Sequence, residues 1–177
     1  MALRRACVAG WGKYVPARVV TNIELSRTLD TSDEWIRSRT GIAERRVAAP
    51  DEATASMAII AGRHALAVAG TAAEDVDCVL VATCTPDQPM PATANLVQAG
   101  LGATRAGACD INAVCSGFVY ALAMADSSIR SGLFRTVLVI GAETFSRIVD
   151  WTDRSTCVLF GDGAGALLLR ATDEEYG

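Results

Sequence analysis

The sequence predicts an α/β fold built on a mainly parallel sheet with helices on both faces. Strand-like and helix-like segments alternate along the 177 residues. The strand-like segments are continuously apolar, which is typical of strands that are covered on both faces. A chain of this length supports one substantial hydrophobic core, so we expect a single domain over residues 1–177.

The first third of the chain predicts one strand and three helices. Residues 6–11 form the strand, and Asn22 is a candidate N-cap for a short helix over 22–29. Residues 31–33 cap a second short helix, and a basic loop follows between Gly41 and Pro50. Residues 54–69 have helical periodicity, and Gly70 ends that helix. Its apolar stripe contains Met57, Ile60, Ala61, Ala65 and Val68.

The rest of the chain continues the alternation. The predicted elements are a strand at 76–82, a loop at 86–91, a helix at 92–99 ended by Gly100, a strand containing Cys109, a helix at 118–131, a strand at 135–141 and a last element at 156–169. The glycines of 161–165 have neither the spacing of a dinucleotide loop nor the lysine of a P-loop. We therefore expect them to form a backbone turn that passes close to the active site.

Composition and charge exclude several classes of function. The net charge is −4 and the basic residues are scattered apart from those at 37–46, so no nucleic-acid surface is expected. No apolar run has the length of a membrane span, and the first residues do not resemble a signal peptide, so we expect a cytoplasmic protein. His64 is the only histidine, and no metal site is predicted.

The six cysteines predict free thiols, not disulfides, because no pair has a metal-binding or redox-motif spacing. Cys109 lies in a strand-like run and is expected in the core. Cys115 differs, because a Cys-Ser-Gly turn follows a strand and leads into a helix. That arrangement places a thiol at the positive end of a helix, where thiolate is favoured and backbone N–H groups can hold an oxyanion. Cys115 is therefore the candidate nucleophile.

Several motifs together resemble the N-terminal half of a β-ketoacyl-acyl-carrier-protein synthase III of the thiolase superfamily. They are the segments at 31–36, 39–42, 45–50, 110–118, 153–154 and 160–165, which occur in the family's order. The resemblance implies one thiolase-type half with a mixed five-stranded sheet. It also implies an acyltransferase in which a cysteine takes an acyl group from coenzyme A, before decarboxylative condensation with malonyl-acyl-carrier protein.

The resemblance assigns roles to seven residues. Cys115 matches the nucleophile, and its own N–H is expected to help hold the oxyanion. Trp35 matches the residue that stacks on the adenine of coenzyme A, and Arg39 and Arg154 match arginines of the same tunnel. The expected acyl-pocket residues are Met90, in a loop that gates the neighbouring subunit's pocket, with Phe145 and Phe160 in the pocket wall. Acyl-CoA is a substrate here, and no separate cofactor is expected.

One departure concerns the catalytic His and Asn, which lie in the second half of family members. His64 does not match that histidine, because it precedes the nucleophile on an early helix. The sequence is compatible with a truncated, cleaved or naturally split enzyme. We expect a homodimer, a second polypeptide that supplies the C-terminal half, or both. Acyl transfer to an alcohol or amine, and a non-catalytic subunit of a ketosynthase, remain alternative functions.

Overall fold

The computed structural model describes residues 4–174, which form seven strands and five α-helices. In chain order these are β1 Arg5–Tyr14, β2 Arg18–Thr21, α1 Asn22–Leu25, α2 Asp33–Thr40, β3 Glu44–Val47, α3 Thr54–Ala69, β4 Cys78–Ala82, α4 Thr93–Leu101, β5 Gly107–Ile111, α5 Gly117–Arg130, β6 Thr136–Thr144 and β7 Asp162–Thr172. No helix among these residues is long and apolar enough to cross a membrane.

The main sheet has five strands in the order β1-β7-β6-β4-β5. Strand β4 pairs in parallel with β5 and with β6, whereas β7 is antiparallel to both of its neighbours. Four of the five strands therefore run in one direction. The mixed, mainly parallel five-stranded sheet expected from the sequence is confirmed.

Helices cover both faces of this sheet, as predicted. One buried cluster joins α3 and α4 to residues of β4, β6 and β7, including Val79, Leu138 and Leu168. A second cluster on the opposite face joins α5 to the same sheet through Ala121, Ala125 and other small or apolar residues. The core of the domain is thus a sheet buried between two helical layers.

Two glycines bring strand β1 into direct contact with the backbone of α3. A Cβ atom built on Gly10 would lie 2.2 Å from the carbonyl oxygen of Ala65, and one on Gly12 would lie 2.1 Å from that of Ala61. No side chain fits at such distances, so glycine is required at both positions. The close approach fixes α3 over one edge of the sheet.

The N-termini of α3 and α4 are capped by aspartates that are distant in sequence. Asp87 accepts hydrogen bonds from the N–H groups of Thr54 and Ala55 at 2.9 and 2.8 Å. Asp110 accepts from Thr93 and Ala94 at 2.9 and 2.7 Å. The residues at the two N-cap positions are alanines, which have no side-chain acceptor, so these carboxylates satisfy the first-turn N–H groups.

The N-terminal predictions need correction at two elements. The predicted helix over 22–29 ends at Leu25, and its N-cap is Thr21. Asn22 instead donates to Asp33 and to the carbonyl of Ile42, both at 2.8 Å. The basic loop contains strand β3, which forms an antiparallel pair with β2. The buried Arg45 side chain donates to the carbonyl of Val20, its partner residue across this pair.

Four further predictions are wrong in part. Val68 is 57% exposed, because α3 turns that side to solvent. Helix α4 continues past Gly100, which packs against Ile59, and ends at Gly102. Cys109 is exposed, because β5 is the edge strand. The predicted turn at 161–165 is mostly strand, since β7 begins at Asp162 and pairs with β6.

Candidate active site

Cys115 is exposed on a short 3₁₀ turn that connects the end of β5 to the start of α5. The N–H and hydroxyl of Ser116 both donate to the carbonyl of Ala113, at 3.2 and 2.9 Å, and close the turn. The thiol therefore lies at the N-terminal end of a 14-residue helix, where the helix dipole favours negative charge. The sequence predicted this placement.

The residue before Cys115 has an unusual backbone conformation. Val114 has a φ of 49°, in the left-handed region that β-branched residues rarely occupy. Backbone strain of this kind costs about 1–3 kcal/mol and tends to occur at functional sites. The turn is held by its surroundings, since Gly117 is buried and its Cβ position lies 3.4 Å from the Cβ of Ala82.

A carboxylate and a second thiol lie beside the strand end that adjoins this turn. Glu143, in the last part of β6, accepts from the N–H of Cys84 at 2.8 Å and from its thiol at 3.1 Å. The hydroxyls of Thr83 and Thr85 donate to the same carboxylate. Burial, the hydrogen bond to Glu143 and nearby negative charge raise the pKa of Cys84 to about 11.

No pattern in the sequence predicted this cluster. Cys84 and Glu143 are 59 positions apart, and neither lies in a motif that predicts chemistry. The only available signal was that two predicted strands, at 76–82 and 135–141, end just before them. The carboxyl ends of neighbouring parallel strands share one edge of a sheet, which brings the residues that follow them together.

The structure brings Trp35, Arg39 and Arg154 together. The guanidinium carbon of Arg39 lies 4.5 Å from the centroid of the Trp35 ring, and that of Arg154 lies 5.0 Å from it. Arg39 comes from the same helix, α2, whereas Arg154 comes from the turn that precedes β7. The two cations stack on an aromatic ring, an arrangement that suits a flat base and its phosphates.

The partners of Arg154 hold it over the ring. Its guanidinium donates to the carbonyl of Asp30 and lies 3.4 Å from the carboxylate of the same residue. The turn itself is closed by Asp153, which accepts from the hydroxyls of Ser155 and Thr156, both at 2.6 Å, and from the N–H of Ser155 at 2.9 Å. These hydrogen bonds hold the pKa of Asp153 below its usual range.

Two of the three predicted pocket residues contact each other. The half-buried rings of Phe145 and Phe160 stack with centroids 4.3 Å apart. They meet because β6 and β7 pair just beyond them, at Thr144 and Asp162. Met90 is 80% exposed in the loop before α4.

His64 lies outside these groups. It is exposed on α3, and its Nδ1 atom is 3.1 Å from the carbonyl of Lys13. Among residues 4–174, no group of three or more His, Cys, Asp and Glu side chains is arranged to hold a metal ion.

One face of the sheet is apolar and open to solvent next to α5. Trp11, Phe118 and Leu167 line a shallow cavity of about 480 Å³ there. Trp11 is 59% exposed, and Val8 on the same strand is 55% exposed. Exposed apolar areas of this kind mark surfaces that bind other protein segments.

The sheet order, the two helical layers and the exposed thiol before α5 define a thiolase-like α/β protein. The family model described as 3-Oxoacyl-[acyl-carrier-protein (ACP)] synthase III matches residues 109–177. Beta-ketoacyl-[acyl-carrier-protein] synthase III of Rhodospirillum centenum is 63% identical over 171 residues, which are 97% of this chain and 53% of that protein. The chain belongs to the β-ketoacyl-acyl-carrier-protein synthase III family.

Solved structures agree with this assignment. The 3-oxoacyl-[acyl-carrier-protein] synthase III of Aquifex aeolicus matches with a TM-score of 0.94 and 51% identity, over 96% of this chain and 55% of that one. The priming β-ketosynthase of the R1128 polyketide pathway has a TM-score of 0.94 at 40% identity, over 98% of this chain and 52% of that one. The chain spans about half the length of the relatives it matches, as expected for an N-terminal half.

Proposed function

We propose that Cys115 accepts the acyl group of an acyl-CoA, as the first step of a synthase III reaction. The sulfur of Cys115 attacks the thioester carbonyl carbon, the bond to the sulfur of coenzyme A breaks, and coenzyme A leaves as its thiol. The observation that carries the proposal is the position of Cys115, exposed on a strained turn at the N-terminus of α5. Amide groups of that turn can stabilise the oxyanion.

We propose that coenzyme A binds at Trp35, Arg39 and Arg154. An adenine ring can stack on Trp35, and Arg39 and Arg154 can pair with phosphates of coenzyme A. Arg154 already lies over the ring and is held by Asp30, so an entering base has to displace it or stack on the ring's other side. Met90, Phe145 and Phe160 remain the proposed contacts of the acyl chain.

Condensation with malonyl-acyl-carrier protein needs the His and Asn that the family has in its other half. We propose that a second polypeptide, or the remainder of a longer chain, covers the open apolar face at Trp11 and Leu167 and completes the site. A homodimer is proposed as well, by resemblance to the family. The relatives include β-ketoacyl-acyl-carrier-protein synthases III and a priming ketosynthase of a polyketide pathway, so the primer must be found experimentally.

The first test is the intact mass of the purified chain, native and denatured, after incubation with a panel of acyl-CoAs. We expect one acyl adduct on the wild type and on Cys109→Ser, and none on Cys115→Ala. Cys109 is the matched control, because it is also exposed and lies on the strand that leads into the turn. An adduct that survives in Cys115→Ala overturns the proposal.

A second experiment tests whether acylation of Cys115 requires a C-terminal half. If the chain alone forms no adduct, the incubation is repeated with a separately produced C-terminal half of the Rhodospirillum centenum synthase. An adduct that depends on both polypeptides supports the two-part site. No adduct under either condition means that this chain does not carry an acyl group, and the non-catalytic subunit becomes the better assignment.

A further inference from the structure

Two cysteines from neighbouring strand ends lie at the same edge of the sheet. Strands β4 and β5 pair in parallel with Ala82 beside Ile111, and the N–H of Thr83 donates to the carbonyl of Ile111 at 3.2 Å. Cys84 follows β4 by two residues, and Cys115 follows β5 by four. The start of α5 folds back against β4, because Gly117 packs on Ala82. The two thiols are therefore brought to one place by the backbone.

Their electrostatic environments agree with this placement. A charge on Cys115 is the smallest of the causes that act on the pKa of Cys84, and it raises this pKa, in agreement with the placement of both residues at one edge of the sheet. Cys115 is exposed and Cys84 is half-buried, and neither is in a disulfide. The exposed thiol at the helix N-terminus is the one that an oxidant reaches first.

We propose that Cys84 is the resolving thiol for peroxide oxidation of Cys115, so that the two form a reversible disulfide. The thiolate of Cys115 attacks a hydroperoxide, which leaves Cys115 as a sulfenic acid and releases hydroxide or an alkoxide. The sulfur of Cys84 then attacks the sulfenic sulfur. A disulfide forms and the sulfenic oxygen leaves as water.

Glu143 provides the acceptor for the proton that Cys84 must lose. The thiol of Cys84 donates to the Glu143 carboxylate at 3.1 Å, so the proton can pass to this oxygen as the S–S bond forms. Burial and the contact with Glu143 raise the pKa of Cys84 to about 11, so this thiol is protonated at neutral pH and its proton has to leave as the S–S bond forms. A small dithiol reverses the reaction by thiol–disulfide exchange.

The test is mass spectrometry of the full chain after brief treatment with hydrogen peroxide, without acyl-CoA. We expect the wild type to become about 2 Da lighter and to recover with dithiothreitol, whereas Cys84→Thr gains about 32 Da or more irreversibly on Cys115. After proteolytic cleavage before aspartate, the disulfide should link peptide 77–86 to peptide 110–125 in the wild type. Cys109→Ser is the control and should still form the link.

The proposal is overturned if the wild type gains oxygen at the same rate as Cys84→Thr, or if the link survives in Cys84→Thr. A chain in which peroxide modifies neither cysteine also overturns it. Acyl transfer is not needed for any of these outcomes. The two proposals can therefore fail separately: the chain can form the disulfide without an acyl adduct, or form the acyl adduct without the disulfide.

Discussion

Replacing Asp110 by alanine should destabilise the domain strongly, because this side chain caps α4 from a different element. Its carboxylate accepts from the N–H groups of Thr93 and Ala94 at 2.9 and 2.7 Å, and both of these residues are fully buried. The residue at the N-cap, Ala92, provides no alternative acceptor. The alanine variant leaves two helix N–H groups without a partner in a site that water reaches poorly.

The expected loss of stability can be worked out from these two hydrogen bonds. An N-cap interaction contributes about 0.5–2 kcal/mol, and a hydrogen bond to a charged group about 1.5–3 kcal/mol. Since the two bonds share one carboxylate and are not independent, we expect Asp110→Ala to lower the free energy of unfolding by about 2–4 kcal/mol. Asp110→Asn keeps one acceptor oxygen and should lose about half as much.

Urea denaturation followed by tryptophan fluorescence measures the effect. With a slope of about 2 kcal/mol/M, the alanine variant should unfold at a urea concentration about 1–2 M lower than the wild type. A midpoint for Asp110→Ala that matches the wild type would refute the capping argument. A loss in Asp110→Asn equal to that in Asp110→Ala would show that the charge matters and the acceptor geometry does not.

Three other predictions test the packing, the cluster beside the nucleophile and the proposed coenzyme A site. Gly12→Ala should reduce stability by more than about 3 kcal/mol in thermal unfolding, since its Cβ would lie 2.1 Å from a carbonyl oxygen. Gly165→Ala should be neutral, because its Cβ would have no atom of residues 4–174 within 4 Å. In a Cys115→Ser background, the rate of alkylation of Cys84 should rise with pH up to about 11, because the Cys84 thiol has a pKa of about 11 and stays protonated below it. Glu143→Gln should increase this rate at pH 8, because it removes a negative charge that raises the pKa of Cys84. A plateau near pH 9 would contradict this. Trp35→Ala should weaken binding of coenzyme A in calorimetry by about 5- to 30-fold through the loss of stacking, and an unchanged affinity would place the base elsewhere.

Local sequence signals predicted the elements whose limits depend on neighbouring residues. The helix at 54–69 agrees with α3 at both ends, because its periodicity and Gly70 are sufficient to define it. The strand, turn and helix around Cys115 were predicted for the same reason. The Cys-Ser-Gly sequence at 115–117 favours a tight turn, and the small and apolar residues that follow it favour a helix.

Contacts between distant segments account for the predictions that failed. Strand β3 was missed because Arg45 and Arg46 indicate a solvated loop, whereas the Arg45 guanidinium is buried and donates to Asn22 and to the carbonyl of Val158. The caps from Asp87 and Asp110 were missed because they lie far from the helices that they serve. The exposure of Cys109 depends on strand order, which no local pattern specifies.

The exposed indole of Trp11 gives this protein a built-in optical reporter. Its side chain is 59% exposed on the open face, whereas Trp35 and Trp151 are half-buried in another cluster. A polypeptide that covers that face would move the indole from water to an apolar environment and shift its emission to shorter wavelength. Titration of an unlabelled partner, with Trp11→Phe as the blank, would then give an affinity directly.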